Sequence, residues 1–144
     1  MADPTTLRLL LFRLGPLVCA VPAALVREVI PADQPVRIPG SAKAVAGLLN
    51  VRGMLLTVVD GRLAAGLSDV GVPPESVLIV DWGDRSVGLA VDLVEDLVEV
   101  EGEALVAGEA MPGVEPGLVK AVGEHAGTVF AVLDTEALFA PYLG

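Results

Sequence analysis

Apolar runs of strand length follow one another along most of this chain, each stopped by Gly, Pro or Asp. Residues 7–14 and 17–21 flank Gly15-Pro16, a hairpin-like turn, and residues 25–30 end at Pro31. Met54–Asp60 reads as a strand, and residues 68–76 as a loop around Pro73-Pro74. Residues 77–82 and 86–91 bracket Gly83-Asp84-Arg85, and residues 118–122 and 128–133 bracket Glu124-His125-Ala126-Gly127. Residues 41–50 carry Ala42, Ala44 and Ala46, with Ser41 placed as an N-cap, which predicts a short helix near 41–47. Asp134 caps a second short helix over 135–138 that is expected to stop near Pro141. About nine short strands with little helix predict a mainly β fold, a sandwich or small barrels.

Composition narrows this. The chain has 144 residues, 53% of them hydrophobic, and a mean hydropathy of +0.69, which excludes disorder. It carries 24 Val, 22 Leu and 19 Ala but five aromatics, so it has no stacking platform for nucleic-acid bases. The net charge of −10 argues against a phosphate backbone as partner. The charge is uneven: residues 1–68 hold seven basic and four acidic residues, net +3, and residues 69–144 hold two and fifteen, net −13. Such a split predicts two units in different surroundings, changing near 68–76.

The apolar stretch 9–26 contains Arg13 and Gly15-Pro16, unlike a signal peptide, and no run reaches the length of a spanning helix. The lone Cys19 fits a reducing compartment and a core position. These features predict a cytoplasmic protein with no direct membrane insertion.

Asp60, Asp81, Asp92 and Asp134 each end an apolar run and could converge on a divalent cation, or simply accept turn and helix-start amides. His125, the single histidine, lies in a predicted turn with no second His or Cys nearby. The acidic run 92–103 reads as a solvated face. No phosphate loop, zinc pattern or nucleophile elbow is present, so no catalytic residue and no cofactor are assigned. The informative segment is 47–53, Gly-Leu-Leu-Asn-Val-Arg-Gly, where Asn50 and Gly53 bracket Arg52 at the start of a strand. Glu28, in an otherwise apolar stretch with Leu25, Val26, Val29 and Ile30 and next to Arg27, is its natural counter-charge.

Phe12-Arg13-Leu14-Gly15, Val26-Arg27-Glu28-Val29-Ile30, and 47–53 followed by Val58-Val59-Asp60 and Arg62 resemble the CheW chemotaxis adaptor family. Later pieces keep the order: 77–80, 87–92, and 117–138 with its strand–Asp–helix ending. The resemblance implies one domain over 1–144, folded as two small five-stranded SH3-like β-barrels sharing an apolar core. It implies a non-enzymatic scaffold that joins chemoreceptor cytoplasmic hairpin tips to the regulatory domain of a CheA-type histidine kinase, recruited to arrays at the inner membrane. It also implies a Glu28–Arg52 ion pair beside the partner-binding surface, with Val26, Gly47, Asn50, Val51, Gly53 and Leu78 on or next to it. Thr57 stands where the family pattern has Pro, Gly61 where it has Leu, and 103–115 has no counterpart. Two other readings stay open: a small-ligand sensor using the groove between the barrels, and a metal hydrolase built on Asp60 and Asp92.

Overall fold

A computed structural model describes residues 6–68, 72–107 and 112–143. Eleven strands run in the order β1 (Thr6–Leu14), β2 (Leu17–Pro22), β3 (Val26–Pro31), β4 (Val45–Val51), β5 (Met54–Asp60), β6 (Ser76–Trp82), β7 (Arg85–Val91), β8 (Leu93–Glu101), β9 (Val106–Ala107), β10 (Val119–His125) and β11 (Thr128–Leu133). Two short helices, α1 (Gly61–Ala64) and α2 (Thr135–Leu143), follow β5 and β11. The strands form a six-stranded sheet, β8-β1-β2-β11-β10-β9, and a five-stranded sheet, β3-β6-β7-β5-β4.

Each sheet wraps a core of its own. Leu9, Leu11, Val18, Phe130 and Val132 fill the six-stranded sheet, and Leu49, Leu56, Val58, Val77 and Ile79 the five-stranded one. A third core lies between them, where Phe12, Leu14, Cys19 and Val21 meet Val59, Leu78, Val80 and Leu89, with Leu138 and Phe139 of α2 added. Each such buried side chain contributes roughly 1.5–3 kcal/mol, so the shared core joins the two sheets. The fold is mainly β, as expected, in sheets of six and five strands, and among the described residues no backbone ladder closes either sheet.

The helix expected near 41–47 is absent. Ser41 Oγ bonds back to the Ile38 carbonyl at 2.7 Å, and the chain is a strand from Val45. Buried positions alternate at Val45, Gly47, Leu49 and Val51, a period-two pattern that outweighs alanine content. The acidic run is also a strand, β8, whose Val98 points inward while Glu95, Glu99 and Glu101 face solvent. Helix α2 continues through Pro141 to Leu143, because a proline one turn from the end removes little of the hydrogen-bond ladder.

The chain changes sheet after Pro22 and again after Val91, so β5 and β6, on either side of 68–76, belong to one sheet; residues 69–71 of that stretch lie outside the described residues. The charge division moves accordingly. Residues 23–91 hold six basic and seven acidic residues, net −1, and the remainder hold three and twelve, net −9. The acidity belongs to the six-stranded unit.

The strand-terminal aspartates are engaged locally. Asp60 Oδ1 accepts from the amides of Arg62 (3.0 Å) and Leu63 (3.3 Å). Arg62, only 4% exposed, lies 3.5 Å from Asp92, whose other oxygen accepts from the Gly15 amide. Asp81 pairs with Arg27 at 3.3 Å, and Asp134 accepts from the Ala137 amide in α2. Cys19 is fully buried, and desolvation pushes its thiol up to about 12. Among the described residues, no three His, Cys, Asp or Glu side chains converge as metal ligands, and no helix is long and apolar enough to cross a membrane.

Candidate functional site

Strands β4 and β5 are joined by Arg52-Gly53 alone, with Val51 opposite Met54. Both turn residues have positive φ, +50° and +85°, as a type I′ turn requires. Asn50 Oδ1 accepts from the Gly53 amide at 2.9 Å and fixes the turn from below. Arg52 is therefore the first residue of a tight hairpin rather than the end of a helical turn, and its backbone is held in a region that glycine or asparagine occupies more readily.

The guanidinium reaches β3 and binds Glu28 through both oxygens, at 3.2 Å to Oε1 and 2.6 Å to Oε2. Strands β3 and β4 are the two edges of the five-stranded sheet, so this bidentate pair bridges the sheet's open seam. The pair is exposed, 70% for Arg52 and 40% for Glu28. The hydrogen bonds that Arg52 donates hold the Glu28 carboxyl below its ordinary value, and the same bonds raise the arginine further.

Gly47 allows a backbone segment to lie close against β4. Val36 forms a two-way backbone bridge with Leu48, both bonds 2.8 Å, laying the 32–44 segment along β4. A Cβ on Gly47, whose φ is +144°, would run into the Val36 carbonyl. Leu78 is fully buried, and Val51 and Gly47 are buried as well.

Two surfaces flank the ion pair. Between the sheets runs an open groove of about 530 Å³ whose apolar wall includes Leu7, Leu10, Val26, Val29 and Leu97, with Arg27 and Glu28 at its edge. Leu7, Val29 and Leu97 are each at least 40% exposed. Past Arg52, Met54 and Leu55 project from the hairpin, 49% and 66% exposed. Sequence reasoning missed Leu97 and the Met54-Leu55 pair, because apolar runs do not reveal which strand face lacks a cover. For Met54 and Leu55 the available signal was their place just after Arg52-Gly53; Leu97 had none.

A family model described as "CheW-like domain" matches residues 8–141. "Chemotaxis protein CheW" of Klebsiella aerogenes is 30% identical over 97 residues, 67% of this chain and 58% of that protein, so the chain spans under two thirds of its length. "Chemotaxis protein CheW" of Bacillus subtilis is 24% identical over 121 residues, covering 83% of this chain and 78% of the relative. In fold, the chain is similar to the crystal structure of scaffolding protein TtCheW from Thermoanaerobacter tengcongensis. The TM-score is 0.85 at 19% identity, covering 95% of this chain and 90% of the other.

Proposed function

The chain belongs to the CheW-like family, the model of which spans residues 8–141, and from that membership we propose that it is a non-enzymatic scaffold in a chemosensory pathway. In this reading it couples the cytoplasmic hairpin tip of a chemoreceptor to the regulatory domain of a CheA-type histidine kinase. Its place is the cytoplasm, at receptor arrays under the inner membrane. It needs no cofactor, metal or nucleic acid for this role.

The observation that carries the reading is the exposed, bidentate Glu28–Arg52 pair set between an apolar groove and an apolar hairpin. An apolar groove with a charged edge suits the apolar stripe of a helical hairpin. Its open, elongated form also favours a protein segment over a small ligand. The hairpin, with rigid Arg52 beside Met54 and Leu55, has the composition of an interface centre, apolar contacts around an arginine. Glu28, Arg52, Asn50 and Gly53 shape that centre, and Val26 reaches the groove.

Purified protein should bind a CheA-type regulatory domain in calorimetry, and Arg52→Glu should abolish that binding while leaving the fold intact by circular dichroism. Undiminished binding by a folded Arg52→Glu protein rejects the assignment. Leu97→Asp should instead remove binding to a receptor-tip hairpin. Weak pairwise affinity is compatible with the role, since an array supplies many contacts at once.

A further inference from the structure

The six-stranded sheet has an apolar opening at one end. The starts of β1 and β10 and the ends of β2 and β11 leave a cavity of about 320 Å³ there, crossed by the turn Gly102–Ala104. Leu7, Leu9, Leu105, Ala121 and Val132 line it, continuing that sheet's own core. It adjoins the groove between the sheets, sharing Leu7, Arg8 and Pro22 with it, but neither Glu28 nor Arg52 lines it.

Its charge pattern is unlike that of the unit around it. Outside residues 23–91 the chain has twelve acidic residues and three basic ones, Arg8, Arg13 and Lys120. Arg13 is paired with Glu95. The other two, Arg8 and Lys120, both line this cavity, and no acidic side chain does so among the described residues. Neither side chain makes a hydrogen bond or ion pair with another described residue. The ladder between β10 and β11 shifts register between Val119 and Ala121, so Lys120 is the extra residue of a bulge, a device that re-aims a side chain.

We infer that this cavity binds a small amphiphilic anion, its hydrocarbon tail against Leu9, Ala121 and Val132 and its carboxylate at Lys120. An apolar wall with very few polar groups is the usual makeup of a small-molecule site. The volume is about twice the ~150 Å³ that accommodates a benzene ring in an engineered cavity, which leaves room for a tail of roughly eight carbons. Burial of the tail supplies the affinity. The ammonium supplies orientation and selects against cations. Arg8 also borders the groove between the sheets, so Lys120 is the residue that distinguishes this site.

Octanoate titrated into the isotope-labelled full chain, followed by amide chemical shifts, tests the inference. Saturable shifts should appear at Leu9, Ala121 and Val132, and Lys120→Glu should weaken binding about tenfold. Octylamine, with the same tail and the opposite charge, should produce no saturable shifts. Ala121→Leu, which fills the cavity and keeps the lysine, should also lose octanoate. Equal binding of octylamine, undiminished binding by folded Lys120→Glu, shifts confined to Val26 and Leu97 in the groove, or no saturable shifts would each overturn the site.

Discussion

The two sheets solve the same problem in different ways. Each curls around a core and leaves its edge strands unpaired with one another, and each carries a side-chain contact between two strands that are not neighbours in its ladder. In the five-stranded sheet the pair is Glu28–Arg52, two contacts at 2.6 and 3.2 Å from a guanidinium fixed in a tight turn. In the six-stranded sheet, β8 meets the end of β10 through Asp96 and His125, a single contact at 3.8 Å. Neither pair is buried enough to contribute much stability, and exposed ion pairs rarely do. Their geometry separates them. A bidentate pair fixes the orientation of both partners, and a single long contact fixes neither. The five-stranded unit, close to neutral, thus presents a rigid charged feature flanked by apolar surface, whereas the six-stranded unit, at −9, presents diffuse negative charge that repels acidic surfaces. The tight seam is the one placed at the candidate interface.

The comparison breaks most sharply at glycine. Gly47 sits beside the tight seam, with left-handed φ and backbone atoms of Val36 and Arg37 where a Cβ would go. Gly47→Ala should cost roughly 3 kcal/mol or more, because neither the strap nor the strand can yield without losing the Val36–Leu48 bridge. Gly123, in the loose sheet, is also crowded, 2.6 Å from Leu105 and 2.7 Å from Phe130, but those atoms belong to side chains. Gly123→Ala should cost about 1–2 kcal/mol as they repack. Urea unfolding of the two variants checks the order, and the reverse order would mean that the 32–44 segment is not held by the bridge.

The same contrast explains what could be read from the chain. Strands at 17–22, 54–60 and 128–133 are apolar runs between Gly, Pro and Asp, and little competes with that signal. The 41–50 region was misleading because Ala42, Ala44 and Ala46 look helical, although the period-two burial of Val45, Leu49 and Val51 decides the matter. Strand β8 was hidden because an edge strand can be acidic on one face and still bury Val98 on the other. Glu28 and Arg52 were legible, Glu28 from a mostly apolar stretch and Arg52 from the Asn50 and Gly53 that bracket it. The exposure of Met54, Leu55 and Leu97, and the cavity at Lys120, depend on which strands become neighbours, and β2 lies beside β11 more than a hundred residues away.

Arg52 combines two properties that a single substitution can separate. Asparagine tolerates the φ of +50° as well as arginine or better, and it carries no charge to reach Glu28. Arg52→Asn should therefore leave the urea midpoint almost unchanged and still abolish binding to the kinase regulatory domain. Asp96→Asn, at the loose seam, should change neither. Kinase binding retained by Arg52→Asn would show that the turn, and not the ion pair, is what the partner reads.

The smallest expected effect is a matter of sign. The hydrogen bonds from Arg52 lower the Glu28 carboxyl in the folded protein, opposed by desolvation and assisted by a weaker charge attraction. As pH falls, the unfolded chain takes up this proton first. The contribution of the pair is therefore complete above the ordinary carboxylate range, declines as pH drops from roughly 4.3, and is gone below the lowered folded value. The difference in urea midpoint between the native chain and Glu28→Gln should be small and constant near neutrality, then shrink on acidification. A difference that grew on acidification would mean that Glu28 is held protonated in the fold, and the seam would then be closed by a neutral hydrogen bond instead of an ion pair. High salt offers a parallel check, because an exposed pair loses its charge attraction to screening but keeps its bidentate geometry. A midpoint difference that survives molar salt would assign the seam's narrowness to hydrogen-bond geometry, the property the Asp96–His125 contact lacks.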